Sequence, residues 1–103
     1  MSGGLSYTVT HSEDVSVIDL DGEIDLATGD DFTTQLTTAL ASAGSRLVVD
    51  LTKVTFLGSA GLASLMSINK QAGQRGTELV LRCSPATRRT IELVGLAGQL
   101  KLV

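Results

Sequence analysis

A serine in a glycine-rich segment is the residue of this sequence best placed to do chemistry. The segment reads Gly58-Ser59-Ala60-Gly61 and comes directly before a helical pattern of apolar residues. A serine at such a junction accepts a hydrogen bond from an amide one turn on, so we predict Ser59 as a helix N-cap. A phosphate on its hydroxyl would face unpaired N–H groups, so phosphorylation of Ser59 stays open as a second role. We also expect Gly58 to supply a positive φ, and Gly61 to leave backbone exposed to a partner.

The carboxylates of the first half suggest metal binding, but their spacing argues against it. Asp19, Asp21 and Glu23 alternate with apolar residues, as on one face of a strand. A calcium loop instead needs a long irregular segment with a defined glycine and a terminal glutamate. We therefore predict an acidic rim and no metal site. For Asp25 the residues themselves predict local hydrogen bonding at the entrance of the first helix.

Other reactive residues lack the partners that catalysis requires. His11 is the only histidine and Cys83 the only cysteine, so a zinc site or a Cys-His nucleophile pair is incomplete. We predict a solvated His11 in a turn and a packed Cys83, with a redox-linked dimer as the alternative for the thiol. The sequence also holds no Walker-type phosphate loop. We predict no catalytic residue, no cofactor and no enzymatic activity.

Charge and composition exclude several classes of partner. The net charge is −3, with nine carboxylates and one cation in residues 1–50 against two carboxylates and seven cations in residues 51–103. We expect this asymmetry to cancel in space, because the two halves should interleave. A net acidic chain with three aromatic residues and no basic run is a poor binder of nucleic acid.

The sequence also predicts where the chain resides. A lone cysteine fits a reducing compartment. Residues 1–4 carry no signal segment, and no apolar run reaches the length of a membrane span. We expect a cytoplasmic protein without direct membrane insertion.

Periodicity predicts the elements that position these residues. Alternating apolar residues predict a hairpin of two strands, and continuous apolar runs predict buried strands. Thr28 with Asp31 has capping-box spacing, Gly44 is a natural C-cap, and Ser84-Pro85 is a helix start. We expect Met66, Ile91 and Val94 to face the core. The predicted elements are strands over residues 5–10, 15–24, 47–51, 79–81 and 100–103, and helices over 28–43, 59–75 and 85–94.

The order of these elements is β-β-α-β-α-β-α-β. It predicts one α/β domain over residues 1–103, in which a single-layer mixed sheet has helices packed on it.

Three segments of the sequence resemble the STAS family, the sulfate-transporter and anti-sigma-factor-antagonist domain. The run from Asp50 to Leu62 is similar to the family signature, in which a buried strand ends in Asp-Leu, a short loop holds Val-x-Phe, and a helix opens with Asp-Ser-Ser-Gly-Leu. Residues 22–28 are similar to the segment before the first helix of the family, and residues 84–96 to its last helix. The resemblance spans about residues 5–103.

This resemblance implies a function and a site. Bacterial members bind an anti-sigma factor, usually a serine kinase with a histidine-kinase-like ATPase fold, and so release its sigma factor. The resemblance implies that a partner contacts Asp25, Gly58, Ser59, Ala60, Gly61 and Leu62. A STAS subunit of a transporter or stress-signalling assembly, and a STAS domain that binds a small ligand, remain alternatives.

The sequence departs from the family pattern at the switch. The family phosphorylates the serine just before Gly-Leu, but that position holds Ala60 here, and Gly58 stands where Asp is usual. Ser59 is the hydroxyl that remains, and we take it as the candidate phosphoacceptor.

Overall fold

A computed structural model describes residues 4–103. Met1–Gly3 lie outside the described residues, and with them most of the segment in which we predicted no signal. The described residues form β1 (Leu5–Ser12), β2 (Val15–Ile24), α1 (Gly29–Ser42), β3 (Arg46–Leu57), α2 (Ser59–Arg75), β4 (Glu78–Arg82), α3 (Pro85–Leu93) and β5 (Lys101–Leu102). Among residues 4–103, no helix is long and apolar enough to cross a membrane.

The sheet has the order β1-β2-β3-β4-β5, with β1 antiparallel and the other strands parallel. Parallel neighbours in chain order, joined by right-handed crossovers, place the connecting helices on one face of the sheet. Buried residues of all three helices accordingly join alternate strand residues in one apolar core. The predicted fold class is confirmed: a single mixed sheet with helices packed on it.

The predicted hairpin has a longer first strand than the sequence indicated. β1 continues through Ser12, so His11 lies in the strand and not in the turn, and its Nδ1 is 2.7 Å from the buried hydroxyl of Ser16. Glu13 makes the turn with a φ of 55°. In β2, Ile18, Leu20 and Ile24 are buried as the alternation predicted.

The third strand is also longer than predicted, and this extension builds the site. Residues 52–57, which the family resemblance placed in a loop, continue β3 and pair with β2. Register shifts after Asp19 and Gly22 absorb the extra residues. Leu57 therefore lies opposite Ile24, and both side chains are buried.

Helix ends confirm one sequence prediction and correct another. At α3, the Ser84 hydroxyl accepts from the amide of Thr87 at 3.1 Å, and Pro85 holds the first position, as predicted. Gly44 is not the C-cap of α1, since Ala43 takes that position with extended backbone. Gly44 packs closely on Asp14: a Cβ there would lie 2.9 Å from the backbone carbonyl oxygen of Asp14 and would also meet its carboxylate.

Two predicted core residues lie nearer the surface than expected. Met66 is partly buried at the margin of the core, and Val94 is exposed because α3 ends at Leu93. Cys83 is half-buried, as expected of a packed thiol, and burial raises its pKa.

The expectation that charge cancels in space holds only in part. Because the strands stand in chain order, most carboxylates of the first half lie towards the β1 edge of the sheet and most cations of the second half towards the β5 edge. Lys53 is an exception, since it is the register partner of Asp21. Among the carboxylates of residues 4–103, only Asp50 and Glu78 form ion pairs. Asp50 pairs with Arg82, and Glu78 pairs with both Arg46 and Lys101. The carboxylates of residues 13–31 thus remain without ion-pair partners in the described structure.

Candidate functional site

The ends of β2 and β3 create a corner where two helices begin. Ile24 and Leu57 are register partners, so the residues that follow them, Asp25 and Gly58, leave the sheet side by side. The amide of Gly58 donates to the carbonyl of Ile24 at 2.9 Å and ties the two exits together. The chain places the starts of α1 and α2 next to each other at this point.

Asp25 organises the entrance to α1. Its Oδ1 accepts from the amides of Ala27, at 2.9 Å, and Thr28, at 3.1 Å. The hydroxyl of Thr28 accepts from the amide of Asp25 at 2.9 Å and donates to the carbonyl of Glu23 at 2.7 Å. The local hydrogen-bonding role, one of the two predicted for Asp25, is therefore present.

The predicted capping box at Thr28 is wrong. Thr28 is the N-cap residue of α1, but its side chain caps no helix amide. Its hydroxyl is already engaged by Asp25 and Glu23. The same bonds force residues 25–28 into a tight loop, in which the side chain of Leu26 is 91% exposed.

The start of α2 differs by one residue from the prediction. Gly58 is the N-cap, with an extended backbone (φ −89°, ψ −176°), and Ser59 is already the first helical residue. Both the cap predicted for Ser59 and the positive φ predicted for Gly58 are therefore wrong. The backbone of Gly58 instead lies close to its neighbour, since a Cβ there would be 3.0 Å from Cε2 of Phe56. Ser59 is exposed, and the described structure gives its hydroxyl no hydrogen-bond partner.

Gly61 and Leu62 lie beneath this surface. A Cβ on Gly61 would lie 2.6 Å from Cγ2 of Ile24 and 2.6 Å from Cδ1 of Leu57. The expectation that Gly61 exposes its backbone is therefore wrong: its lack of a side chain lets α2 approach the two strand ends. Leu62 is 9% exposed and belongs to the core.

The first turns of α1 and α2 are fastened by small residues and hydroxyls. A Cβ on Gly29 would lie only 3.2 Å from Cβ of Ala60, so the helices approach closely there. One turn further, the hydroxyls of Thr33 and Ser64 are 2.5 Å apart, and that of Ser64 also donates to the carbonyl of Ala60. This packing fixes Ala60 at the same surface as Asp25.

An open groove of about 460 Å³ lies at the corner. We call it the corner groove; it is lined by Asp25, Leu26, Ala27, Phe56, Gly58, Ser59 and Ala60. Four of the six predicted site residues therefore line one surface, and Gly61 and Leu62 support it. No cation lines the groove, and most of its lining is apolar, as is usual for a binding site.

Sequence reasoning missed two residues of the groove. Leu26 and Phe56 are 91% and 53% exposed, a large apolar exposure at one place. Phe56 directly precedes the buried Leu57, so the alternation of β3 already turned it away from the core. Leu26 lies in the short connection between β2 and α1. Neither the alternation of a strand nor the periodicity of a helix applies there, so no sequence pattern indicated its exposure.

Metal binding finds no support in the described part of the chain, where no group of three or more potential ligand side chains converges. The alternating carboxylates of β2 lie along a regular strand, as the sequence predicted.

Comparison with known proteins gives consistent matches. Residues 7–103 match the family described as Mlab, STAS domain. The anti-sigma-F factor antagonist RsfB of Mycobacterium tuberculosis is 35% identical over 98 residues, which cover 95% of this chain and 80% of RsfB.

Solved structures agree in fold. The crystal structure of an anti-sigma factor antagonist from Mycobacterium paratuberculosis superposes with a TM-score of 0.86 at 33% identity, covering 96% of this chain and 85% of that one. Bacillus SpoIIAA in its phosphorylated form gives a TM-score of 0.70 at 18% identity, covering 95% and 91% of the two chains.

Proposed function

The chain belongs to the STAS domain family, and from this premise we propose that it is an anti-sigma factor antagonist. It binds an anti-sigma factor through the corner groove, and the anti-sigma factor then releases its sigma factor. The observation that carries the proposal is the exposed apolar groove at the joined ends of β2 and β3, in a chain 35% identical to an anti-sigma-F factor antagonist. The proposal places this exchange in the cytoplasm.

The proposed contact surface follows from exposure. Asp25, Gly58, Ser59 and Ala60 touch the partner, while Gly61 and Leu62 hold these residues in place from below. Leu26 and Phe56 add the apolar area that a docking partner removes from water. Full burial of one leucine side chain is worth about 1.5–3 kcal/mol, so these two residues supply much of the binding energy.

Charge supports recognition of a basic partner surface. Asp25 lines the groove, and Asp30 and Asp31 lie in the first turn of α1, which begins beside it. None of the three forms an ion pair in the described structure, and no cation lines the groove. The negative potential of these carboxylates speeds association with a cationic partner surface and lowers the affinity for an anionic partner surface. The partner in this proposal is a serine kinase with a histidine-kinase-like ATPase fold, and the chain itself catalyses no reaction.

Capture from the native host tests the function. We expect the immobilised chain to retain an anti-sigma factor, identified by mass spectrometry, and the purified anti-sigma factor to release its sigma factor when the chain is added. Recovery of transporter permease and ATPase subunits in its place would refute the proposal and favour a transporter-associated STAS subunit. This second function is favoured by Ala60, because alanine at the usual acceptor position has no hydroxyl to phosphorylate.

We propose further that Ser59 accepts a phosphate in this exchange. Its hydroxyl is exposed at the first position of α2, where the helix amides are unpaired and tolerate an anion. Transfer from ATP gives phosphoserine and ADP, and adds roughly −1.5 to −2 of charge to the groove beside Asp25. The added charge opposes docking and leaves the fold intact.

Intact mass measures this step. After incubation with ATP and the captured kinase, we expect one phosphate on the chain, no phosphate on Ser59→Ala, and one on the control Ser67→Ala, which changes an exposed serine further along α2. Absence of a mass gain, or a gain that persists in Ser59→Ala, would contradict the assignment.

A further inference from the structure

The outer edge of the sheet is a long, regular strand. β1 pairs with β2 over eight consecutive residues without a register shift, and its other side faces no strand in the described structure. The row of N–H and C=O groups along such an edge is a template for another strand. At the opposite edge, β5 has only two residues.

β1 lacks the features that usually protect an edge strand. Proteins block such edges with charged side chains, prolines or bulges. The sequence of β1, LSYTVTHS, has no lysine, arginine, carboxylate or proline, and its pairing shows no bulge. His11, near the end of the strand, is its only titratable group apart from Tyr7.

The side chains of β1 leave apolar area uncovered on the helix side of the sheet. Leu5 and Val9 are partly buried against the core, and Tyr7 between them is 43% exposed. On the other face the side chains are hydroxyls, those of Ser6, Thr8 and Thr10. An added strand with the same alternation would cover Tyr7 on the helix side. On the other face, its own hydroxyl side chains would lie beside those of Ser6, Thr8 and Thr10.

We propose that β1 binds β1 of a second copy of this chain, which makes a two-fold symmetric dimer with a continuous sheet. A two-fold axis through the middle of the strand makes the pair antiparallel and brings each Thr8 near the partner's Thr8. Like charges opposite each other destabilise a strand pair, and β1 brings none to the pairing. The side chains of β1 include no lysine, arginine or carboxylate that could pair with a charged peptide. A second copy of β1, which is equally free of these charges, is the partner that fits this edge.

Net charge sets the salt dependence of this dimer. The carboxylates of β2 in the two copies would stand three strand spacings apart, about 14 Å. The Debye length is about 30 Å at 0.01 M salt and about 8 Å at 0.15 M, so their repulsion acts at low salt and is screened at physiological salt. The dimer therefore tightens as salt rises, opposite to the behaviour expected of the acidic surface with a basic partner.

The dimer leaves the corner groove free. The groove lies where β2 and β3 end, and β1 adds to β2 on the side away from β3. A dimer would thus present two grooves, and its existence does not depend on which partner the groove binds.

Sedimentation of the full chain over a range of concentrations tests the proposal. We expect a reversible monomer–dimer equilibrium that tightens with salt. Thr8→Lys should weaken it about fivefold or more, since it places two lysines opposite each other. The variant should fold, because Thr8 is exposed and its register partner on β2 is Asp19.

Thr34→Lys is the matched control, because it adds the same charge at an exposed position of α1. It should leave the dimer as strong as in the parent chain. Amide NMR signals of Leu5–Ser12 should shift with concentration in the parent and in Thr34→Lys. A chain that stays monomeric at all concentrations, equal effects of the two lysines, or shifts confined to another surface would overturn the proposal.

Discussion

Leu26→Ala is expected to weaken binding of the anti-sigma factor about thirtyfold while leaving the fold unchanged. Leu26 exposes 91% of its surface in the free chain, so its truncation removes almost no internal packing. In the proposed complex the same side chain leaves water. Losing about 2 kcal/mol of that burial corresponds to a factor of about thirty in Kd.

Leu93→Ala provides the control for this measurement. Leu93 is also a leucine with large exposure, 76%, but it lies at the end of α3 and does not line the groove. Calorimetric titration of each variant with the anti-sigma factor gives Kd, and urea unfolding checks stability. Equal affinity of Leu26→Ala and the parent chain would mean that the corner groove is not the docking surface.

Leu26 tests the groove more cleanly than Phe56 does. The ring of Phe56 contacts the position of Gly58, so Phe56→Ala would also change the support of the α2 start. A loss of binding in that variant would mix a missing contact with a displaced backbone. Leu26 has no such second role, because the loop that presents it is held by Asp25 and Thr28.

The elements of this fold were predictable because each carries its own period. The alternation of apolar residues predicted β2. Ser84-Pro85 predicted the start of α3, because the Ser84 hydroxyl caps the amide of Thr87 within the same short segment. The start of α1 was not predictable in the same way. Asp25 and Thr28 can each bond several nearby amides, and the strand exits decide which bonds form.

The candidate site shows the same division. Its location was predicted from Asp25 and residues 58–62, but the groove also needs Leu26, from the loop before α1, and Phe56, from β3. Their adjacency depends on the register Ile24 opposite Leu57, which follows two shifts that no local pattern reveals. The separation of charge likewise required the strand order, since composition alone cannot tell interleaved halves from neighbouring ones.

Gly61→Ala is expected to destabilise the chain, and Gly73→Ala in the same helix is expected to stabilise it. The new methyl at Gly61 would lie 2.6 Å from Ile24 and from Leu57, both buried, whereas a methyl at Gly73 meets nothing within 4 Å. Overpacking of this kind costs about 1–3 kcal/mol. Replacing an exposed helical glycine by alanine contributes about 0.5–1 kcal/mol in the other direction.

Relaxation at Gly61 is limited by the stiffness of its neighbours. Leu57 can shift its terminal methyl by rotating about χ2, but Cγ2 of Ile24 is attached at a branched Cβ, where rotation about χ1 is restricted. That backbone accepts the amide of Gly58, so the strain passes directly to the corner. Urea unfolding should place the midpoint of Gly61→Ala below that of Gly73→Ala, and binding should fall even where Gly61→Ala is fully folded. Equal midpoints would show that the contact of α2 with the strand ends does not hold the groove in shape.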